Sequence, residues 1–221
     1  MPPLQIGFLA FTALAPVLLI ATSRRQSSPH FDTWVCRILA SILLITEIGE
    51  TTLKLTVEHL PIGSALPMQL CDWALLCTAA ALLWRNQRLF ELAYYWGLAG
   101  TTQGLLTPAI DPAIPVWRVA AFYLIHSGII IGVIFLLGAL RLRPSRSSLL
   151  WIFVCSEAYL AVALCLNAIT GQNYGFLAHP PITPSLLDKF STQHVLYLLE
   201  INAVALTAFL LLYLPWGFAL L

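Results

Sequence analysis

The sequence contains few charged residues. Asp, Glu, Lys and Arg make up only 10% of its 221 residues, compared with about 25% in an average soluble domain. The formal net charge is +1, so the chain has no excess of positive charge with which to bind a nucleic-acid backbone. Hydrophobic residues, by contrast, make up 59%. This composition excludes a typical soluble domain, predicts no nucleic-acid partner, and indicates an integral membrane protein.

Disulfide and zinc-binding patterns are also missing. No C-x-x-C pair and no cysteine–histidine pair at zinc spacing is present. The loop histidines His59, His179 and His194 match no metal-binding motif, although a surface metal site that they form with His126 stays open as an alternative. We predict no metal and no cofactor. The cysteines all fall inside apolar stretches, which favours buried thiols over an extracellular disulfide framework; they are Cys36, Cys71, Cys77, Cys155 and Cys165.

Long apolar runs are abundant. Seven of them approach the roughly 20 residues that a helix needs to cross a hydrocarbon core. The first lacks the positive region of a signal peptide, so we interpret it as a retained helix. Because backbone groups in lipid must be hydrogen-bonded within their own segment, we predict an all-α polytopic membrane protein, with residues 1–221 forming one domain of seven transmembrane helices. The predicted spans lie near 5–22, 34–56, 64–84, 88–107, 116–140, 148–169 and 195–217.

The basic residues predict the orientation of these helices. Most of the Lys and Arg residues fall in loops on one side of the predicted seven-helix arrangement. The other side has only Lys54, Arg118 and Lys189, together with several acidic residues. Because loops rich in Lys and Arg stay in the cytoplasm, we predict a multi-pass protein of the cell membrane with its N-terminus outside and its C-terminus in the cytoplasm. The basic residues in the predicted cytoplasmic loops are Arg24, Arg25, Arg37, Arg85, Arg88, Arg141, Arg143 and Arg146.

Polar residues within the predicted spans concentrate in the half nearest the outside. Ionisable groups at membrane depth are costly unless they are paired or face a cavity, so they indicate function. The inner half is nearly all Leu, Ile, Val, Ala and Phe, which argues against a polar path across the membrane. We therefore predict a polar cup that opens outward or sideways into the outer leaflet. Its residues are Glu47, Glu50, Lys54, Gln69, Cys71, Asp72, Thr101, Thr102, Gln103, His126, Asn167, Glu200 and Asn202.

Within this cup, Cys71 and His126 are the candidates for catalysis. At ~1.5 Å per residue, both lie roughly 10 to 13 Å below the outer boundary. A nucleophilic cysteine needs a base or a cation to form its thiolate, and His126 is the one histidine inside the predicted spans. The alternatives are an inert buried thiol and a histidine that joins two helices. Asp72 or Glu50 could orient the histidine, and pairing of Asp72 with Lys54 is the alternative.

A series of motifs runs from about residue 59 to residue 216. They are LPMQLCD at 66–72, LFELAYYWGLAGT at 89–101, QGLLTP at 103–108, IHSG at 125–128, NY at 173–174, TPSLLD at 183–188 and LYLP at 212–215. Together they resemble the YwaF-like family of integral membrane proteins. A eukaryotic relative in the wider family is an acyltransferase that installs polyunsaturated chains on ether phospholipids. The resemblance therefore implies acyl transfer, with Cys71 and His126 as the corresponding catalytic pair.

The leading hypothesis is a cysteine-dependent lipid acyltransferase that acts on acyl lipids in the outer leaflet through a thioester intermediate. Cys71 would be the nucleophile and His126 the base. The amides of Gln103 and Asn173 would donate hydrogen bonds to the developing oxyanion. The supporting or substrate-binding residues of this predicted site are Glu50, Gln69, Asp72, Gln103, Asn173 and Tyr174.

Two other functions stay open. A non-catalytic membrane protein could bind or transport a small polar ligand or a lipid headgroup in the same cup. A hydrolase would follow the same thioester chemistry with water as the acceptor. In each case we predict membrane lipids as the partners, and no sequence feature predicts a protein partner.

Overall fold

The computed structural model describes residues 2–111 and 113–217, and their regular secondary structure is helical. A π-helical turn, Gly97–Thr101, joins α5 to α6, and two short 3-10 helices, Tyr174–Phe176 and Leu186–Lys189, lie between α8 and α9. The predicted all-α fold is confirmed. The α-helices are α1 (Pro2–Gln26), α2 (Pro29–Thr56), α3 (Ile62–Ala65), α4 (Leu70–Trp84), α5 (Gln87–Trp96), α6 (Thr102–Leu106), α7 (Val116–Gly138), α8 (Ser148–Thr170) and α9 (His194–Gly217).

Within the described part of the chain, four helices are long and apolar enough to cross a membrane: Leu4–Gln26 of α1, together with α7, α8 and α9. They support a multi-pass membrane protein. The other three predicted spans also coincide with helical segments. However, α2 carries several charged residues, α4 has only 15 residues, and α5 continues into a π turn. The count of seven spans and the orientation therefore stay predictions.

Proline explains where two helices depart from the predicted boundaries. α2 begins at Pro29, earlier than predicted, because proline is favoured in the first helical turn, where its missing N–H costs no bond. The third predicted run is interrupted. Leu66 adopts an extended conformation, with φ −60° and ψ 136°, as expected for a residue that precedes a proline. α4 consequently begins only at Leu70, directly before Cys71.

α7 is the central helix. In its most apolar window 72% of the residues are buried, against 11% to 17% in the corresponding windows of α1, α8 and α9. A β-carbon at Gly128 would lie 2.9 Å from Leu43 Cδ2 on α2, and one at Gly132 would lie 2.9 Å from Thr78 Cγ2 on α4. Small residues at such contacts let helices approach closely. As a result, α2 and α4 both pack directly on α7.

Contacts at two heights show how α2 and α7 run. Leu43 meets α7 at Gly128, whereas Glu50, later on α2, lies 4.0 Å from Arg118, earlier on α7. The residue numbers therefore rise along α2 as they fall along α7. The two helices are antiparallel.

The direction of α4 follows from its two ends. Arg85, just after α4, donates a hydrogen bond of 2.9 Å to Thr33 near the start of α2. At the other end, the thiol of Cys71 lies within electrostatic reach of Glu47 and Glu50, later on α2. α4 is therefore antiparallel to α2 and parallel to α7.

Candidate functional site

The start of α4 brings a carboxylate to the thiol of Cys71. Gln69 precedes the helix in an extended conformation, and its backbone N–H donates to Asp72 Oδ2 at 2.8 Å. A carboxylate in the first helical turn is favoured because it accepts from free N–H groups and faces the positive end of the helix dipole. The other oxygen, Oδ1, accepts from Cys71 Sγ at 3.6 Å. The half-buried thiol thus contacts the carboxylate of its own neighbour.

Two further carboxylates, both on α2, lie within electrostatic reach of this thiol. Glu47 is buried, and Glu50 pairs with Lys54 at 2.7 Å. The charges of both glutamates act on Cys71 across the interface between α2 and α4. Lys54 therefore pairs with Glu50 rather than with Asp72, the pairing considered from the sequence. The surroundings of the thiol are acidic.

The imidazole of His126 has a defined orientation. Its Nδ1 lies 2.8 Å from the backbone oxygen of Phe122, and its ring stacks on the Phe122 ring with centroids 4.0 Å apart. A carbonyl oxygen only accepts hydrogen bonds, so Nδ1 carries the proton in this arrangement and Nε2 keeps the lone pair. The carbonyl on its own helix, and not the expected carboxylate of Asp72 or Glu50, orients the ring. The residue is 6% exposed.

Cys71 and His126 lie at a similar height on two parallel helices. Thr78 on α4 lies opposite Gly132 on α7. Cys71 is two helical turns before Thr78, and His126 is nearly two turns before Gly132, roughly 10 Å and 9 Å along the two axes. The two candidates predicted from the sequence are therefore level with each other in the interior.

One short segment, Gly100–Gly104, contacts both sides of this arrangement. A β-carbon at Gly100 would lie 3.7 Å from Leu70 Cδ2, next to Cys71 in the chain. A β-carbon at Gly104 would lie 2.8 Å from Cδ2 and 3.0 Å from Nε2 of His126. Only glycine leaves room for the imidazole there. The Gly100–Gly104 segment thus packs against His126 on α7 and against Leu70, the chain neighbour of Cys71, on α4.

The loop after α8 covers the start of α4. Tyr174 exchanges two backbone–side chain hydrogen bonds with Asn167, at 2.7 and 3.1 Å, and its hydroxyl donates to the carbonyl of Gly63. The N–H of Gly175 donates to Gln69 Oε1 at 2.8 Å. Gly175 has φ 65°, a left-handed conformation that glycine adopts without strain. In this structure Gln69 and Tyr174 anchor the loop over the site.

The two predicted amide donors have other partners. Gln103 is exposed, and its Nε2 donates to Thr107 Oγ1 at 2.7 Å. Asn173 is held within its own loop, where its Nδ2 donates to the carbonyl of His179 at 2.8 Å and its Oδ1 accepts from the N–H of Ala178 at 2.9 Å. These contacts do not bring either amide to the thiol or to the imidazole.

Two further polar side chains lie close to the site: Tyr159, which sequence reasoning does not single out, and Thr101, one of the predicted cup residues. Tyr159 on α8 donates to the carbonyl of Met68 at 3.1 Å and packs edge-on against Trp73. Thr101 is 1% exposed, and among the described residues its hydroxyl has no hydrogen-bond partner. A tyrosine in the middle of an apolar span is a visible signal. The predicted depth of Thr101 places it in the cup, but nothing in the sequence distinguishes its hydroxyl from that of Thr102.

The sequence pattern of the TMEM164 family matches residues 2–213. The matched range begins with α1 and ends within α9, so it includes Cys71, His126 and the Gly100–Gly104 segment. No curated protein and no solved structure matches the chain.

Proposed function

The chain belongs to the TMEM164 family, and we propose that it is a membrane-embedded, cysteine-dependent lipid acyltransferase. The family is linked in general to acyl transfer on ether lipids. The sequence motifs predicted the YwaF-like family, whereas the family that the comparison shows is TMEM164. The observation that carries the proposal is the similar height of Cys71 and His126 beside the Gly100–Gly104 segment.

In the first half-reaction, an acyl group moves from a phospholipid to the protein. Nε2 of His126 takes the proton of the Cys71 thiol, and the sulfur attacks the carbonyl carbon of the ester. The tetrahedral adduct then loses its ester oxygen as the carbon–oxygen bond breaks. The imidazolium returns its proton to that oxygen. The products are a lysophospholipid and a thioester on Cys71.

In the second half-reaction, the acyl group moves from the thioester to an acceptor. The hydroxyl of a second lysophospholipid gives its proton to His126, and its oxygen attacks the thioester carbonyl. The carbon–sulfur bond breaks, and the sulfur takes the proton back from the imidazolium. With water as the acceptor the same steps give a free fatty acid, so the hydrolase differs from the transferase only in the acceptor.

The supporting residues divide into those that contact the catalytic pair and those that do not. Asp72 accepts the hydrogen bond of the thiol and would hold the sulfur in place until the substrate arrives. Glu50 neutralises Lys54 beside it. Participation of Gln103 and Asn173 as oxyanion donors stays a prediction, because each must leave its present partners to reach the substrate.

We further propose that the lipid enters sideways from the outer leaflet. This follows from the predicted orientation, with the N-terminus outside and seven spans. The support for it is the anchored loop at Tyr174 and Gly175, which covers the start of α4 from above. Membrane lipids would then be the partners of the protein.

The proposal is tested with purified protein in detergent micelles. The donor is phosphatidylcholine with a labelled acyl chain, and the acceptor is an ether lysophospholipid. We expect Cys71→Ala and Cys71→Ser to lose acyl transfer, and the wild type to carry a labelled acyl group that hydroxylamine releases. Cys77→Ala is the matched control, because Cys77 is a second half-buried thiol on α4. It should transfer at the wild-type rate.

Unchanged transfer by Cys71→Ala would refute the thioester mechanism. Binding of the donor without any transfer by the wild type would favour the binding or transport protein instead. Release of labelled fatty acid without a labelled product lipid would identify a hydrolase.

A further inference from the structure

Most threonines in the helices of this protein form the same hydrogen bond. In nine of them the hydroxyl donates to the backbone carbonyl four residues earlier, at 2.6 to 2.8 Å, whereas Thr51 on α2 donates to the side chain of Glu47. The bond to the backbone carbonyl is the usual way for a threonine to satisfy its hydroxyl within an apolar environment. The threonines that form it are Thr12, Thr22, Thr33, Thr46, Thr52, Thr56, Thr78, Thr170 and Thr207.

Thr101 does not form this bond. It is 1% exposed, and its hydroxyl has no partner among the described residues. It closes the π-helical turn Gly97–Thr101, in which backbone bonds run to the fifth residue and the turn is wider than in an α-helix. The wider turn moves the preceding carbonyls relative to the threonine side chain. A buried hydroxyl without a partner costs folding free energy, so its presence requires an explanation.

The position of Thr101 suggests an explanation. Its neighbour Gly100 contacts Leu70, beside Cys71, and Gly104, one turn later, contacts His126. Thr101 therefore lies in the chain between a glycine that packs on Leu70 at the start of α4 and a glycine that packs on His126. One turn earlier, a β-carbon at Gly97 would lie 2.8 Å from Ile129 Cγ2, so this face of the segment points towards α7.

We propose that Thr101 is a catalytic residue whose hydroxyl donates a hydrogen bond to the carbonyl oxygen of the acyl group attacked by Cys71. This inference rests on the proposed acyltransferase function. Negative charge appears on that oxygen when the carbon–sulfur bond forms, and it disappears when the carbonyl is restored. Thr101 keeps its proton throughout. A donor that has no other partner is ready for this charge without reorganisation, which is the condition for an effective oxyanion hole.

The test compares Thr101→Val with Thr101→Ser in the acyl-transfer assay described above. Valine keeps the shape of threonine but removes the hydroxyl, whereas serine keeps the hydroxyl. Loss of one oxyanion donor lowers kcat by about 100-fold or more. We expect that loss for Thr101→Val with an unchanged KM for the donor lipid, and a rate close to wild type for Thr101→Ser. The formation rate of the labelled acyl-enzyme should fall by the same factor.

Thr78→Val is the matched control. Thr78 is also fully buried, but its hydroxyl already donates to the carbonyl of Ala74 at 2.7 Å. We expect this variant to transfer at nearly the wild-type rate. If Thr101→Val does not fold, Thr101→Ser and Thr101→Ala give the same comparison, because they too differ by one hydroxyl.

The outcomes separate this inference from the proposed function. If Cys71→Ala is inactive while Thr101→Val has the wild-type kcat, the role of Thr101 is refuted and the acyltransferase stands. Equal rates for Thr101→Ser and Thr101→Ala would refute it as well. If Cys71→Ala retains full transfer, the thioester mechanism and the oxyanion role fall together.

Discussion

The two ends of α4 lie beside two polar clusters that differ in how their groups are satisfied. Where α5 begins, Glu91 is fully buried and both of its carboxylate oxygens have partners. Its Oε1 accepts from Gln87 Nε2 and from the N–H of Ser145, each at 3.0 Å, and its Oε2 pairs with Arg88 at 2.9 Å. This closed cluster ties α5 to the segment that precedes α8.

Where α4 begins, the groups are incompletely satisfied. The thiol of Cys71 has one long contact to Asp72, the Nε2 of His126 keeps its lone pair, and the hydroxyl of Thr101 has no partner among the described residues. Buried polar groups are normally bonded, and exceptions require an explanation. A cluster whose polar groups all have hydrogen-bond partners stabilises the fold. Polar groups without partners are available to bind a substrate.

The largest effect should come from removing the base. We expect His126→Asn to lower the rate of acyl transfer per folded molecule by about 100- to 10,000-fold, together with a moderate fall in melting temperature, because the stacking on Phe122 and the contact with Gly104 are lost. His59→Asn is the control, since His59 lies exposed in a loop. Initial rates and melting curves in detergent would measure both. A wild-type rate for His126→Asn would place the base elsewhere.

Removing the Glu91 side chain should instead lower the stability of the protein without lowering its rate of acyl transfer. Glu91→Ala leaves the N–H of Ser145 without its acceptor and Arg88 without its ion-pair partner, so we expect the free energy of unfolding to fall by about 2 to 3 kcal/mol. The rate per folded molecule should not change. Denaturant titration followed by assays on the folded fraction would test this. A selective loss of activity without destabilisation would break the division between scaffold and site.

A smaller effect should follow from crowding the imidazole. Gly104→Ala places a β-carbon 2.8 Å from the ring of His126, so the ring must shift, and a small displacement of a catalytic group lowers the rate by about tenfold or more. Gly100→Ala is the matched control on the same segment. Its β-carbon would make an ordinary contact of 3.7 Å with Leu70, and its rate should stay near wild type. Equal rates for the two variants would contradict the position of the ring.

The smallest effect should come from Gln103. Its amide donates to Thr107 at an exposed position, so we expect Gln103→Leu to change the rate by less than about threefold, far below the loss expected for an oxyanion donor. Thr107→Val, which removes its partner, should behave in the same way. A fall of about 100-fold for Gln103→Leu alone would show that the amide turns to the substrate, as the sequence analysis predicts.

The location of the helices follows from the sequence to a large extent, and the contacts of the site only in part. Hydropathy places α7, α8 and α9 almost to their ends, because a span long enough to cross lipid has a strong signal. The break before Leu70 was also accessible, since Pro67 disfavours helix at Leu66. Inter-helix contacts have no such local signal. The orientation of His126 depends on a carbonyl of its own helix, and the free hydroxyl of Thr101 depends on a π turn, which packing determines.

The π turn also ties the free hydroxyl of Thr101 to the length of the chain. A turn closed by bonds to the fifth residue holds one amino acid more than an ordinary turn. In a chain one residue shorter between Gly97 and Thr101, the segment would close as an ordinary α-helical turn, and the threonine would bond its own backbone as Thr78 does. A single codon therefore decides whether this position in the bundle carries a free hydrogen-bond donor.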